Sequence, residues 1–273
     1  FGSFKNYFSG NSTNMTISVG DYKNGLDVEK ITIILPVYNE AKALPLLLEE
    51  IRRVLDSSFH DYLVLVVDDG STDETKHIAL SFNKSIPLRV TSHQTNKGLG
   101  VTICTGLKEA VRTCSLEDII VTMDGDNTHN PSYIIAMVNK ILEGYDVVIA
   151  SRYQPGGKEI GLSFKRKFLS KTVNFILGTI LPVKGVKDYT CGYRAYNGMK
   201  LKEGFAFHKG NLVKEKGFSC MTEILLKLSK LPSLKVSEVA MVLRYDLKDG
   251  PSKINVYRTI LRYVCMITRS FIA

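Results

Sequence analysis

The 273 residues hold no run approaching the ~18 uninterrupted apolar positions of a membrane-spanning helix. Residues 1–30 are polar and irregular, without the apolar core of a signal peptide, and read as a flexible lead-in. The five cysteines, at positions 104, 114, 191, 220 and 265, form no CxxC pair, and their count is odd. A zinc knuckle and a secreted disulfide framework are thereby disfavoured, and reduced thiols in a cytosolic setting fit better. Gly98-Leu99-Gly100 is followed by Ile103 rather than glycine, so the dinucleotide fingerprint fails. A Walker lysine pattern and a GxSxG nucleophile elbow are also missing. The sequons at Asn11 and Asn14 are of a kind common by chance.

What is present is ordinary in bulk and uneven in charge. Hydrophobic residues make up 44% and charged residues 23%, as in a soluble domain with a sizeable core. Residues 1–150 carry 13 basic and 19 acidic side chains, a net −6, whereas residues 151–273 carry 23 and 8, a net +15. A basic half suits a polyanionic partner: phosphate groups, nucleic acid or an anionic membrane surface.

Short apolar runs at Ile31–Leu35, Leu63–Val67, Leu88–Thr91, Ile119–Met123 and Asp146–Ser151 alternate with helical stretches. Among the latter, Leu44, Leu47, Leu48, Ile51 and Leu55 recur at helical spacing, with Pro45 placed in a first turn or at a kink. Such βα units predict an α/β fold with a mostly parallel sheet, whose ligands bind beyond the carboxyl ends of the strands. Ser71–Glu74 reads as a capping box. Further on, residues 163–181, 221–231 and 254–272 read as helices, 188–197 as a Tyr-rich turn and strand, and 237–245 as a strand. In the last helix Arg258, Arg262 and Arg269 fall within about 45° of one another. A membrane-interface helix and a core-packed helix with a solvated stripe both give this pattern.

The strand ends carry the chemistry. They read PVYNE (36–40), DDGSTDET (68–75), MDGDNTH (123–129) and SRY (151–153). Asp124 and Asp126 close an apolar strand with Gly125 between them, an arrangement suited to Mg²⁺ or Mn²⁺, which take one or two carboxylates plus phosphate oxygens and water. Asp126 is the first choice as direct ligand; Asp124 binds through water or holds the sugar. Asp68 and Asp69 offer acceptors to ribose hydroxyls or a base edge, while Asp73 and Glu74 fit a helix first turn. Tyr38 could face a nucleobase, and Asn39 could cap a helix. Arg152, Arg166, Arg244 and Lys253 lie in separate segments where arginine forks would grip phosphate. His129, one of five histidines, is uninformative alone.

Together PVYNE, DDGSTDET, NKGLG, MDGDNTH, SRY, DYTCGYRAY and RYDLKDGPSK resemble a family 2 glycosyltransferase of the GT-A fold, closest to the dolichyl-phosphate mannose synthase and polyprenyl-phosphate branch. The resemblance covers about Ile31 to Arg262. It implies a Rossmann-like GT-A domain over 31–252, divided into a nucleotide-sugar half (31–150) and an acceptor half (151–252), followed by a C-terminal amphipathic helix. It further implies a nucleoside-diphosphate sugar donor, foremost GDP-mannose, a divalent metal and a polyprenyl phosphate acceptor. Donor binding then falls on Pro36, Tyr38, Glu40 and Asp68, with Asp69 a neighbour, and the metal centre on Asp124 and Asp126. A glutamine of that branch is Thr128 here. Arg152, Arg166 and Ser170 match phosphate-meeting positions, Arg244 and Lys253 match a loop closing over the donor, and Glu223 matches an acidic position after the acceptor region. Asp126, Arg152, Arg166 and Glu223 are the expected catalytic group. The resemblance also implies inverting transfer, peripheral contact with the cytoplasmic face of a membrane and, in some relatives, small membrane subunits. Another donor such as UDP-glucose, or a hydroxyl acceptor with Glu223 as base, is the alternative. Nucleic acid is not an expected partner, because the basic residues lack aromatic interleaving and the acidic site would repel a phosphate backbone.

Overall fold

The computed structural model describes residues 30–59, 61–115, 117–248, 250 and 256–272, with side chains of the last stretch described over 259–268. Lys253 and all but Lys30 of the expected lead-in over residues 1–30 lie outside the described residues, as do the side chains of Arg258 and Arg269.

Strand β1 (Ile31–Val37) is buried along its whole length, because strands flank it on both edges and helices cover its faces. It extends through Pro36 to Val37, two residues past the expected end at Leu35. On one side it pairs with β2 (Tyr62–Asp68) to the strand end; on the other it pairs with β4 (Ile119–Thr122) only as far as Ile34. Met123 donates to the Ile34 carbonyl, so residues of that parity face β4. Pro36 therefore directs its missing N–H past the end of β4, where no ladder bond is lost.

Helix α1 (Ala43–Asp56) buries Leu44, Leu47, Leu48, Ile51 and Leu55 completely, as the spacing predicts, with Pro45 in its first turn. Next come α2 (Thr75–Ser81), β3 (Leu88–Ser92), α3 (Leu99–Thr113), α4 (Tyr133–Leu142) and β5 (Val147–Ser151), each within two residues of its expected start except α2, whose expected capping box is absent. The N-cap residue Glu74 makes no side-chain cap bond. Asp73 instead accepts from the Thr75 amide at 3.0 Å, and Ser71 turns away to receive the Asn39 amide.

The remaining elements are β6 (Lys158–Ile160), α5 (Phe164–Ile180), β7 (Arg194–Asn197), α6 (Gly198–Phe207), α7 (Cys220–Leu228), β8 (Val236–Ala240), β9 (Val242–Arg244) and α8 (Val256–Ile272). Residues 237–245, expected as one strand, divide at Met241: β8 joins the main sheet, while β9 pairs with β6. Among the described residues the main sheet has seven strands in the order β3-β2-β1-β4-β7-β5-β8. All neighbours are parallel except those of β7, which runs antiparallel between β4 and β5. The acidic and basic halves of the sequence thus share one sheet. Helix α3 packs on β1 and β2, and α4 on β5 and β7. The mostly parallel α/β architecture matches the expectation from the sequence.

The arginine stripe of α8 is corrected in part. Arg262 lies against the backbone of Gly217, and Tyr263 and Met266 are buried, leaving Leu261, Val264, Cys265 and Thr268 on the open side.

Inserting β7 places Arg194 in the interior with no exposed surface. Its guanidinium donates to the carbonyls of Cys191 at 2.9 Å, Tyr189 at 2.8 Å and Met221 at 2.5 Å, fastening the 188–193 loop to α7. Arg194→Leu removes three buried bonds from a charged donor, each contributing roughly 1.5–3 kcal/mol, although the Tyr189 carbonyl keeps the Thr222 hydroxyl at 2.9 Å. Urea unfolding should show a loss of about 3 kcal/mol or more; a loss below about 1 kcal/mol would contradict this account of the loop.

Candidate active site

Four strand ends meet at one edge of the sheet. Val37 and Asp68 lie opposite each other where β1 and β2 finish, and the loop after β4 folds over them. Gly125 makes that approach possible, since a Cβ there would fall 2.5 Å from Val37 Cγ1 and 3.0 Å from the Pro36 carbonyl. The glycine between the two aspartates thus seats Asp124-Gly125-Asp126 against PVYNE.

Asp126 is held from two sides. Its Oδ1 accepts the Thr128 hydroxyl at 2.7 Å, and its Oδ2 pairs with the Lys248 ammonium. The two side chains are 13% and 9% exposed, so the pair is largely removed from water. Burial pushes the Asp126 carboxyl up, but Lys248 and Thr128 outweigh it and hold it below its ordinary range. Burial pulls the Lys248 ammonium down, and Asp126 outweighs it in turn, so lysine stays charged. Glu40 also acts on Lys248 electrostatically, which brings PVYNE into the same cluster.

Asp124 is more open, with 36% of its side chain exposed. Its carboxyl is pushed up by desolvation; His129 opposes this, and the neighbouring charge of Asp126 adds to it. The His129 ring stacks on Tyr193 with centroids 5.0 Å apart, and its Nδ1 accepts the Asp124 amide at 3.2 Å. The proton therefore sits on Nε2, 4.0 Å from Asp124 Oδ2. His129 positions Asp124.

Asp124 and Asp126, with the Thr128 hydroxyl beside them, fit a hard divalent ion. Among the described residues no group of three or more His, Cys, Asp or Glu side chains could hold a metal. Two carboxylates leave the rest of a Mg²⁺ or Mn²⁺ shell to phosphate oxygens and water, the usual composition at phosphate-handling sites. The cation already seated on Asp126 shows that this position accommodates positive charge.

Other expected site residues have different occupations. Asp69 is buried and fully engaged: His93 Nδ1 lies 2.8 Å from Oδ1, the Lys97 amide donates to Oδ1 at 2.9 Å, and the Gly98 amide to Oδ2 at 2.8 Å. It clamps the loop before α3 instead of facing a ligand, whereas Asp68, at the strand end, receives the Ser71 amide at 3.1 Å. Glu223 takes the amides of Lys214 and Glu215 at 2.8 Å on Oε2, and its Oε1 lies 2.7 Å from the Lys227 ammonium. That loop then reaches α3, where Lys216 accepts the Gly100 amide; a Cβ on Gly100 would lie 1.8 Å from the Glu215 carbonyl. The NKGLG glycines thus serve loop packing, and both oxygens of Glu223, expected in the catalytic group, are engaged in holding the 214–215 loop and Lys227.

Arg152 is likewise committed within the protein. It grips both carboxylate oxygens of Asp188, at 2.7 and 2.8 Å, and also donates to Glu159 at 3.1 Å and Thr190 at 2.7 Å. This network replaces the free fork that phosphate binding requires, and Arg152 reaches Asp124 only through its electrostatic field. Arg166 donates to the Tyr245 hydroxyl at 3.0 Å. Ser170 shares a 2.8 Å hydrogen bond with Tyr153. Arg244 is exposed and paired with Asp246 at 2.8 Å, while its amide donates to the Thr128 carbonyl at 3.1 Å and ties β9 to the Asp126 loop. Tyr38 and Glu40 are half-buried on a loop stitched to the next strand end, where Asn39, expected as a helix cap, sits at φ 51° and accepts the Thr72 amide.

Lys248 and Tyr245 escaped the sequence reading. Both lie within RYDLKDGPSK, but nothing in the spacing separates Lys248 from the other basic residues of its half.

Comparison with known proteins places the chain. It is 33% identical over 199 residues to a dolichol-phosphate mannosyltransferase of Pyrococcus furiosus, covering 72% of this chain and 53% of the relative. It is 35% identical over 170 residues to a polyprenol monophosphomannose synthase of Mycolicibacterium smegmatis, covering 62% of each. The chain thus spans only about half to three fifths of these relatives. Among solved structures, glucosyl-3-phosphoglycerate synthase of Mycobacterium tuberculosis with Mn²⁺, UDP-glucose and phosphoglyceric acid superposes with a TM-score of 0.62 at 18% identity, covering 87% of this chain and 79% of that one. A second complex of that synthase, with Mn²⁺ and UDP-glucose, gives 0.63 at 17% identity, covering 93% and 84%. This likeness is one of fold, the GT-A arrangement expected from the sequence. Residues 32–205 match Glycosyl transferase family 2, and the chain belongs to that family.

Proposed function

We propose that this chain transfers a hexose, with GDP-mannose as the first candidate donor, from a nucleoside-diphosphate sugar to a polyprenyl or dolichyl phosphate, inverting the anomeric carbon. The observation that carries the reading is the desolvated Asp126 beside Asp124, at a strand-end cleft that also holds Tyr38, Glu40 and Asp68. The names of the two relatives support the acceptor class, and the Mn²⁺ and UDP-glucose bound by the structural neighbour support a metal-assisted donor.

Each side chain then has a task. Tyr38 and Asp68 bind the nucleoside, the ring against the base and the carboxylate on ribose hydroxyls. Asp124 and Asp126 hold Mg²⁺ or Mn²⁺, which when bound offsets the charge gathering on the departing diphosphate. Arg166, on the acceptor side of the cleft, attracts the incoming phosphate. The bond from the anomeric carbon to the diphosphate oxygen breaks, its electron pair leaving with the nucleoside diphosphate, while an acceptor phosphate oxygen forms the new bond from the opposite face. A phosphate monoester is already largely ionised near neutral pH, its second pKa being about 6, so no general base is required. The occupied state of Glu223 agrees with this and disfavours the hydroxyl-acceptor alternative.

The lipid acceptor calls for a membrane surface. Helix α5 turns Phe164, Phe168 and Phe175 outward, at 82%, 65% and 74% exposure, among Lys165, Lys167 and Lys171. Aromatic rings interleaved with lysines suit an anionic interface. Among the described residues no helix is long and apolar enough to cross a membrane. We assign the chain to the cytoplasmic face as a peripheral protein, with small membrane subunits as candidate partners.

Two variants test the assignment. With labelled GDP-mannose, a short polyprenyl phosphate and Mn²⁺, Asp126→Ala should lower transfer by at least ~100-fold, since a preorganised charge contact of this kind supplies ~3 kcal/mol or more. Turnover within a few-fold of the parent chain would contradict the site. Glu223→Gln should lower the melting temperature while the folded enzyme keeps kcat within a few-fold; a ~100-fold fall in kcat with an unchanged melting temperature would restore Glu223 to the chemistry.

A further inference from the structure

We propose that Lys248 is the resident cation of the donor site, and that a divalent ion reaches Asp126 only by exchanging with the Lys248 ammonium, so that ion and nucleoside diphosphate bind as a mutually dependent pair. This rests on the assignment of Asp124 and Asp126 to a metal–diphosphate site, and concerns how this chain's own lysine sets the order of binding.

Both oxygens of Asp126 already carry partners, and the acceptor site that remains lies on the oxygen Lys248 holds. One oxygen is taken by the Thr128 hydroxyl and amide, and the other by the Lys248 ammonium. An incoming ion needs that second oxygen at about 2.0–2.2 Å. With both cations on one carboxylate, two like charges would stand a few ångströms apart in a site where water screens them poorly. The ammonium must therefore leave for the ion to bind, and leaving strands a lysine that is only 9% exposed.

The surrounding geometry keeps the displaced ammonium close. Lys248 follows the short 3₁₀ turn Tyr245–Leu247, and its amide donates back to the Tyr245 carbonyl at 3.3 Å. The Tyr245 ring lies 5.8 Å from the Lys248 ammonium and 5.4 Å from the Arg166 guanidinium, and Arg166 fixes the ring by its hydrogen bond to the hydroxyl. Upstream, the Arg244 amide holds the same strand to the Thr128 carbonyl. A side chain rooted there swings through only a few ångströms, from the carboxylate to whatever anion lies beside the ion. In the proposed reaction that anion is the donor diphosphate. Ion alone evicts lysine without offering it a partner; ion with nucleoside diphosphate supplies one. Lys248 is thus a positioning residue that couples the two ligands and keeps Asp126 ionised and oriented between turnovers.

The experiment is a Mn²⁺ titration of the full chain, read as free Mn²⁺ by electron paramagnetic resonance, with and without GDP or UDP. In the parent chain Mn²⁺ alone should bind weakly and the nucleoside diphosphate should tighten it strongly. Lys248→Met should bind Mn²⁺ alone on the order of tenfold tighter and gain correspondingly less from the nucleotide, a coupling of ordinary size for two ligands of one site. Lys248→Gln, which keeps a hydrogen bond to Asp126 without the charge, should behave as Lys248→Met does and covers the case in which the latter does not fold. Lys248→Arg should retain the parent's weak binding and strong coupling. If the folded neutral variants bind Mn²⁺ alone no tighter than the parent, while the parent still forms the ternary complex, the inference is overturned and the proposed function stands. If the parent binds no Mn²⁺ even with nucleotide, the proposed function falls, and the inference with it.

Discussion

A carboxylate at the buried rim of a sheet must be met by a cation or by hydrogen-bond donors, and for Asp126 much of this molecule can be understood as the arrangement that supplies the cation. Asp126 lies where β4 runs out, with its side chain 13% exposed. Leaving such a charge unpaired would cost several kcal/mol. The fold meets the requirement by returning the chain from β8 through β9, so that Lys248 arrives more than a hundred residues later in sequence. The same return path brings Tyr245, and through it Arg166 of α5, to the cleft. Elements from both halves of the sequence therefore meet at one ion pair.

Around this centre the other charged groups divide into those that build and those that remain available. Asp69, Glu223, Arg152 and Asp188 are closed on internal partners. They fix the loops on which the site depends: the loop before α3, the 213–217 loop, and the segment linking β5 to β7. Burial pushes the Asp188 carboxyl up, but Arg152 more than compensates and holds it below its ordinary range. Asp124, half-open and without a strong cation of its own, is the group left for a ligand to engage. Rigid support under an electrostatically receptive rim is the usual condition for stabilising charge that appears during a reaction.

The first half of the fold was plainly legible in the sequence. Its β-branched runs and its Leu44–Leu55 periodicity are strong because each element is buried along a continuous face. The second half hid more. Strand β7 falls within the turn and strand expected over 188–197, but its fully buried Arg194 is a residue that a hydrophobic pattern counts as surface. Helix α6 opens on Gly198 and includes Gly204 and two lysines, so its apolar stripe is faint, and β6 has only three residues. At the site, the acidic strand ends pointed to one edge of the sheet, where the fold gathers them, because two aspartates after an apolar run have few structural uses. Sequence could not distinguish Asp68 from Asp69: both are buried, and the closing of Asp69 on internal donors depends on His93, Lys97 and Gly98 far along the chain. Nor could it pick Lys248 from 36 basic residues, because only the return of β9 gives that lysine its partner.

The central claim is that Asp126 is a cation seat shared in turn by lysine and a divalent ion. The most direct measurement is a crystal structure grown with Mn²⁺ and GDP, with the ion located by its anomalous scattering. The account predicts a peak about 2.0–2.2 Å from an Asp126 oxygen, with Lys248 moved onto the diphosphate. A peak bound elsewhere, or a nucleotide in the cleft with Lys248 still paired to Asp126, would contradict it.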